Sequence, residues 1–283
     1  MSNYALAKAL LVLSQFGTQH PECSVSELSQ LTGLSKSNVS KILKEFRAQG
    51  FLLQDRMTRR YRVGPQALAV GAGYFAGSSL VRCADRFMHR LVKRTEATAT
   101  LNVVCDSRVL FVAAKDGGRQ PAFSWPVGSY IPLHATAAGK IAAAFAGQHD
   151  GAPIIANAQL RSFTPSTICE VGALMEQLSE IRRVGIACTY GESTYGIAGV
   201  AAPILDGEDK VVGAISVLLP LEHAREVGHS AIVADAVREA ARDVSREIGA
   251  THYPFHEHAP RGGMRKPVGK SLPTQAHGAS VSH

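Results

Sequence analysis

Between Ser24 and Gly50 the chain carries two helical patterns, each opened by a serine and closed by a glycine, with one tight turn between them. Ser24-Val25-Ser26-Glu27 is an S-x-x-E capping box, in which the serine hydroxyl and the glutamate carboxylate each accept a free backbone N–H of the first helical turn. Leu28 and Leu31 point inward from this short helix, and Gly33 ends it. Ser35 caps the next helix, whose inward residues are Val39, Ile42, Leu43 and Phe46, and Gly50 closes it. Ahead of both, residues 4–16 place Leu6, Ala9, Leu10, Leu13 and Phe16 at helical spacing. Three helices so arranged predict a helix-turn-helix. Phe51–Leu53 and Arg60–Val63 then read as short strands around Arg56-Met57-Thr58-Arg59, a hairpin wing.

The face of the third helix opposite its apolar side holds Ser37, Lys41, Lys44 and Ala48, with no carboxylate at its centre. Hydroxyl and ammonium donors in that position suit phosphates and base-edge acceptors. Asn38 stands at the flank, where its amide can pair with adenine, and Ser35 and Lys36 lie at the helix N-terminus, which favours an anion. Ser24 and Ser26 open the preceding helix beside this face, and Arg56, Arg59, Arg60 and Arg62 add charge from the wing. Residues 1–64 carry nine Lys/Arg against four Asp/Glu, whereas residues 65–250 are close to neutral and residues 251–283 carry net +3. A basic head on a neutral body is the electrostatic footprint of a DNA-binding domain attached to a separate functional unit. Charge alone would equally suit solubility; the helix-turn-helix context favours double-stranded DNA.

Residues 66–96 read as one linker helix whose first half, of small apolar residues, predicts a dimer seam. From residue 98 the period shifts toward strands. Runs at 98–105 and 108–114 form a hairpin, and a loop from Pro132 leads into an alanine-rich helix ending at Ala146. A helix follows from Leu174 to Arg183, then strands at 186–190, 197–205 and 211–219, and a final helix over 222–248. This mixture predicts an α+β chain: a winged helix-turn-helix over 1–64, a linker helix over 65–97, a second domain over 98–250 and a disordered tail over 251–283. The glycine- and serine-interrupted stretch 63–81 does not read as a membrane span. The start lacks a basic segment followed by an apolar run, so no secretory signal is expected. Five scattered cysteines suit unpaired thiols in a reducing cytoplasm.

Residues 6–64, including SVSELSQLTGLSKSNVSKILKEFRAQGFL and the wing ending RYRVG, resemble the winged domain of the IclR family of transcriptional regulators. Further matches are IPLHATAAGK at 131–140, FTPSTI at 163–168, RVGIACTYGESTYGIAGVAAPILD at 183–206 and VVGAISVLLP at 211–220. The resemblance spans about residues 4–249. It implies a GAF-like effector-binding domain, homodimers or homotetramers, and control of a catabolic operon, as repressor or activator, by a small organic acid or aromatic compound. It also implies an effector pocket at Ala137 and Ala138 in the HATAAGK turn, Thr189 and Gly199 on the following strands, and Ser216 and Leu218 on the last. The turn before Gly139 opens a helix whose free N–H groups can receive a carboxylate. Phe123, Trp125, Leu133 and Leu218 offer an apolar wall.

Family members that bind two- or three-carbon acids tend to have an acidic residue where Thr189 stands and a cysteine where Gly199 stands. Their replacement here predicts a roomier, less acidic pocket and a larger ligand, an aromatic carboxylate; the alternative is that both are ordinary strand positions. No catalytic residue, cofactor or metal site is expected. His134 lacks a triad or metal spacing and reads as a packing or capping histidine. Cys105 and Cys188 on strands read as inert thiols. The tail histidines are too widely spread for a built metal site. Glu192 matches the family's loop carboxylate but reads equally as a surface acid. Two other functions stay open: a GAF-like cysteine-dependent enzyme, and a DNA-binding protein that needs no ligand.

Overall fold

The computed structural model of this 283-residue chain describes residues 4–18, 20–105, 108–118, 125–146, 160–224 and 229–255. Helix α1 (Tyr4–Leu13) leads into β1 (Glu22–Cys23), α2 (Val25–Thr32), α3 (Lys36–Ala48), β2 (Leu52–Gln54) and β3 (Tyr61–Val63). The capping box forms: Ser24 Oγ accepts the Glu27 N–H, and the Glu27 carboxylate accepts the Ser24 N–H at 2.7 Å. Gly33 takes the left-handed conformation, φ 70°, that turns the chain into α3. Val12, Leu28, Val39, Leu43, Leu52 and Tyr61 bury against one another as the core of this head, with Ile42 and Phe46 packed beside them. Of the side of α1 that reads as apolar in the sequence, Leu13 and Phe16 pack against this core beside the buried Val12, while Leu6 and Leu10 are each 55% exposed. The wing gains a third strand, because β1 pairs with β3. Two residues are too few to show a period in sequence.

The expected single linker helix is two helices. α4 (Pro65–Gly77) and α5 (Ser79–Thr95) meet at 74° across Ser78. Ser78 ends one helix and starts the other: its N–H donates to Tyr74 O, and its Oγ accepts from Val81 N. A serine after glycine supplies both the break and the cap. No residue of α4 is buried, whereas α5 sinks Ala84, Phe87, Met88 and Leu91 into the second domain's core. That domain therefore begins inside the expected linker.

Its sheet has the order β6-β5-β4-β9-β8-β7, antiparallel throughout. The strands are β4 (Thr98–Cys105), β5 (Arg108–Lys115), β6 (Tyr130–Ile131), β7 (Ala187–Tyr190), β8 (Ile197–Leu205) and β9 (Val211–Pro220). Helices α5 and α9 (His229–Glu247) pack together against strands β4 and β8 of this sheet, and α6 (Ala137–Phe145) and α7 (Val171–Val184) pack with each other, α6 lying on β7, β8 and β9. The short helix α8 (Leu221–Ala224) follows β9. Residues 251–255 are not free tail. Tyr253 and Phe255 are buried, Tyr253 Oη donates to Pro203 O, and the Phe255 ring occupies the space a side chain at Gly185 would need. The two aromatics were the apolar signal in that otherwise polar stretch; residues 256–283 lie outside the described residues. Among the described residues no single helix is long and apolar enough to cross a membrane.

Candidate functional site

Two surfaces hold the expected functional residues. On the head, Ser35 Oγ accepts the Asn38 N–H at 3.4 Å and starts α3. Ser26, Ser35, Lys36, Ser37, Asn38, Lys41 and Lys44 are exposed, as are Arg56 and Arg59 at the wing tip. Asp55 shapes that tip by accepting N–H groups of Met57 and Thr58, and Arg59 takes a left-handed φ of 59°. Ser24 is half-buried and occupied by its cap. Arg60 stands apart from the expected phosphate-facing set. Its guanidinium donates to Glu22 O at 3.0 Å and to the Glu27 carboxylate at 2.7 Å, tying the wing to the start of α2. Hydrogen bonds from Ser24 and the Arg60 guanidinium hold the Glu27 carboxyl down at about 2.

On the second domain, alternate residues of the central strands face α6 and form a cavity floor, as the two-residue period of a strand dictates. Thr189, Gly199 and Leu218 stand opposite one another on β7, β8 and β9, and Ser216 stands opposite Thr100 on β4. Ser216 Oγ and Thr100 Oγ1 are 2.6 Å apart, and Asn102 Nδ2 donates to both hydroxyls. Phe111, Trp125 and Ile131 wall one end, and Ser193 and Thr194 of the β7–β8 loop line it as well. The cavity and the open space adjoining it amount to about 540 Å³, and among the described residues no charged side chain lines it.

The first turn of α6 faces this cavity through Ala137 and Ala138. Thr136 caps it, accepting the Gly139 N–H and donating to Pro132 O. Gly139 is required: a Cβ there would stand 2.2 Å from Pro132 O and 2.7 Å from Leu133 Cα. The glycine lets the preceding turn fold back against the helix start, whose residues Thr136, Ala137 and Ala138 line the cavity. Leu133 lies half-buried in that turn and does not line the cavity, a correction to the expected wall; Phe123 lies outside the described residues.

Sequence reasoning missed Thr100 and Asn102, although polar residues two apart in the apolar run TATLNVVC were a visible signal. It also left Glu192 open as a surface acid. Glu192 is buried, and its carboxylate accepts from Lys140 Nζ at 2.7 and 2.8 Å, with Gln177 Oε1 accepting a third bond from the same ammonium. Burial pulls the Lys140 ammonium down and pushes the Glu192 carboxyl up, each opposed by its partner's charge. His134 packs as expected, its ring tilted against Phe163 and hydrogen-bonded to Arg161 O at 2.9 Å.

Residues 5–56 match the IclR helix-turn-helix domain, and residues 72–246 match the C-terminal domain of the bacterial transcriptional regulator IclR. The chain belongs to the IclR family. This IclR-family protein is a DNA-binding transcriptional regulator with an effector-binding type of second domain. It is 32% identical over 241 residues to the regulator BhcR of Paracoccus denitrificans, covering 85% of this chain and 86% of that protein. It is 28% identical over 246 residues to XynR of Escherichia coli, covering 87% and 97%. A solved IclR-type regulator from Silicibacter sp. TM1040 superposes with a TM-score of 0.80 at 25% identity, covering 90% of this regulator and all of that chain. An IclR homologue from Microbacterium hydrocarbonoxydans, solved with 4-hydroxybenzoate, shares the fold at a TM-score of 0.69 and 23% identity, covering 86% and 98%.

Proposed function

We propose that this regulator binds its operator as a homodimer and that an aromatic carboxylate held between α6 and the sheet changes its affinity for DNA. The observation that carries the ligand reading is the lining of the cavity. It combines aromatic and aliphatic walls, neutral hydroxyls and one helix N-terminus, with no acidic side chain among the described residues to repel an anion. A helix N-terminus attracts a carboxylate, and Phe111, Trp125, Ile131 and Leu218 suit a ring. The 4-hydroxybenzoate complex of the Microbacterium homologue supports the same ligand class. Gly199 contributes a flat floor rather than a hole, since an added Cβ would lie 3.0 Å from Thr189 Oγ1 and 3.4 Å from Leu218 Cδ2. Calorimetric titration with benzoates and with small oxo-acids tests this. Micromolar binding of benzoates is expected; binding of oxo-acids alone would overturn it.

On the DNA side, the exposed α3 face from Ser35 to Lys44 enters the major groove while Arg56 and Arg59 approach the backbone. The genes controlled serve breakdown of the acid that is bound. The dimer reading rests on α4, which buries nothing within the chain and exposes Leu68 (75%) and Val70 (59%) to a second copy. The cysteine-dependent enzyme is disfavoured by a specific observation: burial pushes the Cys188 thiol up to about 11, the reverse of nucleophile activation.

A further inference from the structure

Trp125 is the only tryptophan of the chain, and its sequence context suggests nothing more than an apolar wall. The structure gives it a polar role. Its indole Nε1 is buried and has no hydrogen-bond partner among the described residues, and the residue lines the cavity. An indole nitrogen only donates, so no rotation converts it into an acceptor, and a buried donor without an acceptor is costly. The ring is also held in place. It meets Phe163 edge-on, with centroids 5.9 Å apart and planes at 81°, and Phe163 in turn packs against His134 at a tilt of 33°. His134 is fixed by its bond to Arg161 O, and the Arg161 guanidinium lies over the Phe163 ring. A donor whose ring packs edge-on in an aromatic cluster at a cavity wall is pre-organised for a ligand acceptor.

The other donors of the cavity differ in kind. The α6 amides form a charged-group site at one helix end. Thr100, Ser216 and Asn102 are bonded to one another, so they meet most of their own demand. Beside the free α6 amides, the indole N–H is a side-chain donor that cannot turn to accept and that, among the described residues, has nothing to bind. We propose that Trp125 is a specificity-determining residue whose N–H receives an oxygen substituent on the ring of the bound aromatic acid. The regulator would then select hydroxy-, alkoxy- or keto-substituted aromatic carboxylates over their hydrocarbon counterparts. This rests on the aromatic-acid reading above. A site that hydrogen-bonds a substituent rejects the analogue lacking it more strongly than an apolar pocket distinguishes methyl groups.

The test uses the three hydroxybenzoate isomers and the matching methylbenzoates, which have nearly the same shape, titrated calorimetrically against full-length wild type and Trp125→Phe. In wild type at least one hydroxy isomer is expected to bind about tenfold tighter than its methyl partner, the worth of one hydrogen bond. In Trp125→Phe that preference should collapse to within about twofold while methylbenzoate binding persists. The melting temperature of the ligand-free variant should equal or exceed wild type, because the substitution removes an unmet donor. Equal loss of both ligand types, an undiminished hydroxyl preference, or a lower ligand-free melting temperature would overturn the inference and leave the aromatic-acid reading standing. If wild type binds none of the six acids, that reading falls and the inference with it.

Discussion

Lys140 Nζ lies 2.7 Å from a Glu192 carboxylate oxygen, with the lysine side chain wholly buried and the glutamate 7% exposed. The pair joins the second turn of α6 to the β7–β8 loop, and Gln177 adds a tie to α7. The loop residues Ser193 and Thr194 follow Glu192 directly and line the cavity, so the pair fixes one wall relative to the helix N-terminus. Removing one partner strands an uncompensated charge. Glu192→Gln and Lys140→Met should each destabilise the second domain by about 3–5 kcal/mol in thermal or urea unfolding. The double variant Lys140→Met/Glu192→Leu should lose less than either. Single variants that unfold with wild type would contradict a structural role for the pair.

Arg60 and Arg59 separate two uses of wing charge. Arg59 is exposed at the tip, whereas Arg60 is bonded to Glu27. Arg59→Ala should reduce the salt dependence of DNA binding by about one unit in a log–log plot. Arg60→Ala should leave that slope unchanged and instead lower the melting temperature of the chain. A mobility-shift or anisotropy titration across salt concentrations distinguishes them.

The Glu27 carboxyl gives the head a pH dependence of defined sign. Its folded value of about 2 lies below its ordinary 4.5, so its stabilisation is full above 4.5 and is lost as pH falls toward 2. Melting temperatures of wild type and Glu27→Gln should therefore differ at pH 6 and converge as pH is lowered through that window. A gap that persists at the acid end would remove the charge argument.

Thr18 Oγ1 and Ser129 Oγ, 2.6 Å apart, connect the head to the second domain. Ser129 O accepts from Phe111 N, Phe111 lines the cavity, and Trp125 sits four residues before Ser129. A ligand that moves this segment has a direct route to the head, provided it favours one arrangement over another. Ser129→Ala and Thr18→Val should each shrink the ratio of DNA affinities measured with and without ligand, with ligand affinity for the DNA-free protein changed little. An unchanged ratio would place the coupling elsewhere.

Much of this was legible in the residues. Ser24, Glu27, Gly33 and Ser35 wrote the head because capping is a local interaction between neighbours. The floor residues Thr189, Gly199, Ser216 and Leu218 followed from the family resemblance alone. What depended on distant pairing was not legible. Lys140 and Glu192 are 52 positions apart, and Arg60 and Glu27 are 33 apart, so nothing local marks them as partners. The break at Ser78 was written in Gly77-Ser78-Ser79, but the small apolar residues before it carry no period whose interruption would mark it. Leu133 failed for a different reason: its side chain packs against the domain's main core rather than lining the cavity.

The central claim is that one molecule couples an acid in the cavity to DNA recognition by α3. The direct measurement is fluorescence anisotropy of a duplex selected from a random pool by the full-length protein, titrated with and without the tightest-binding benzoate. The account predicts a selected site with two-fold-related half-sites about one helical turn apart, and a ligand-induced change in affinity of at least about fivefold that Lys41→Ala abolishes by removing specific binding. Specific binding that is identical with and without saturating ligand would contradict it.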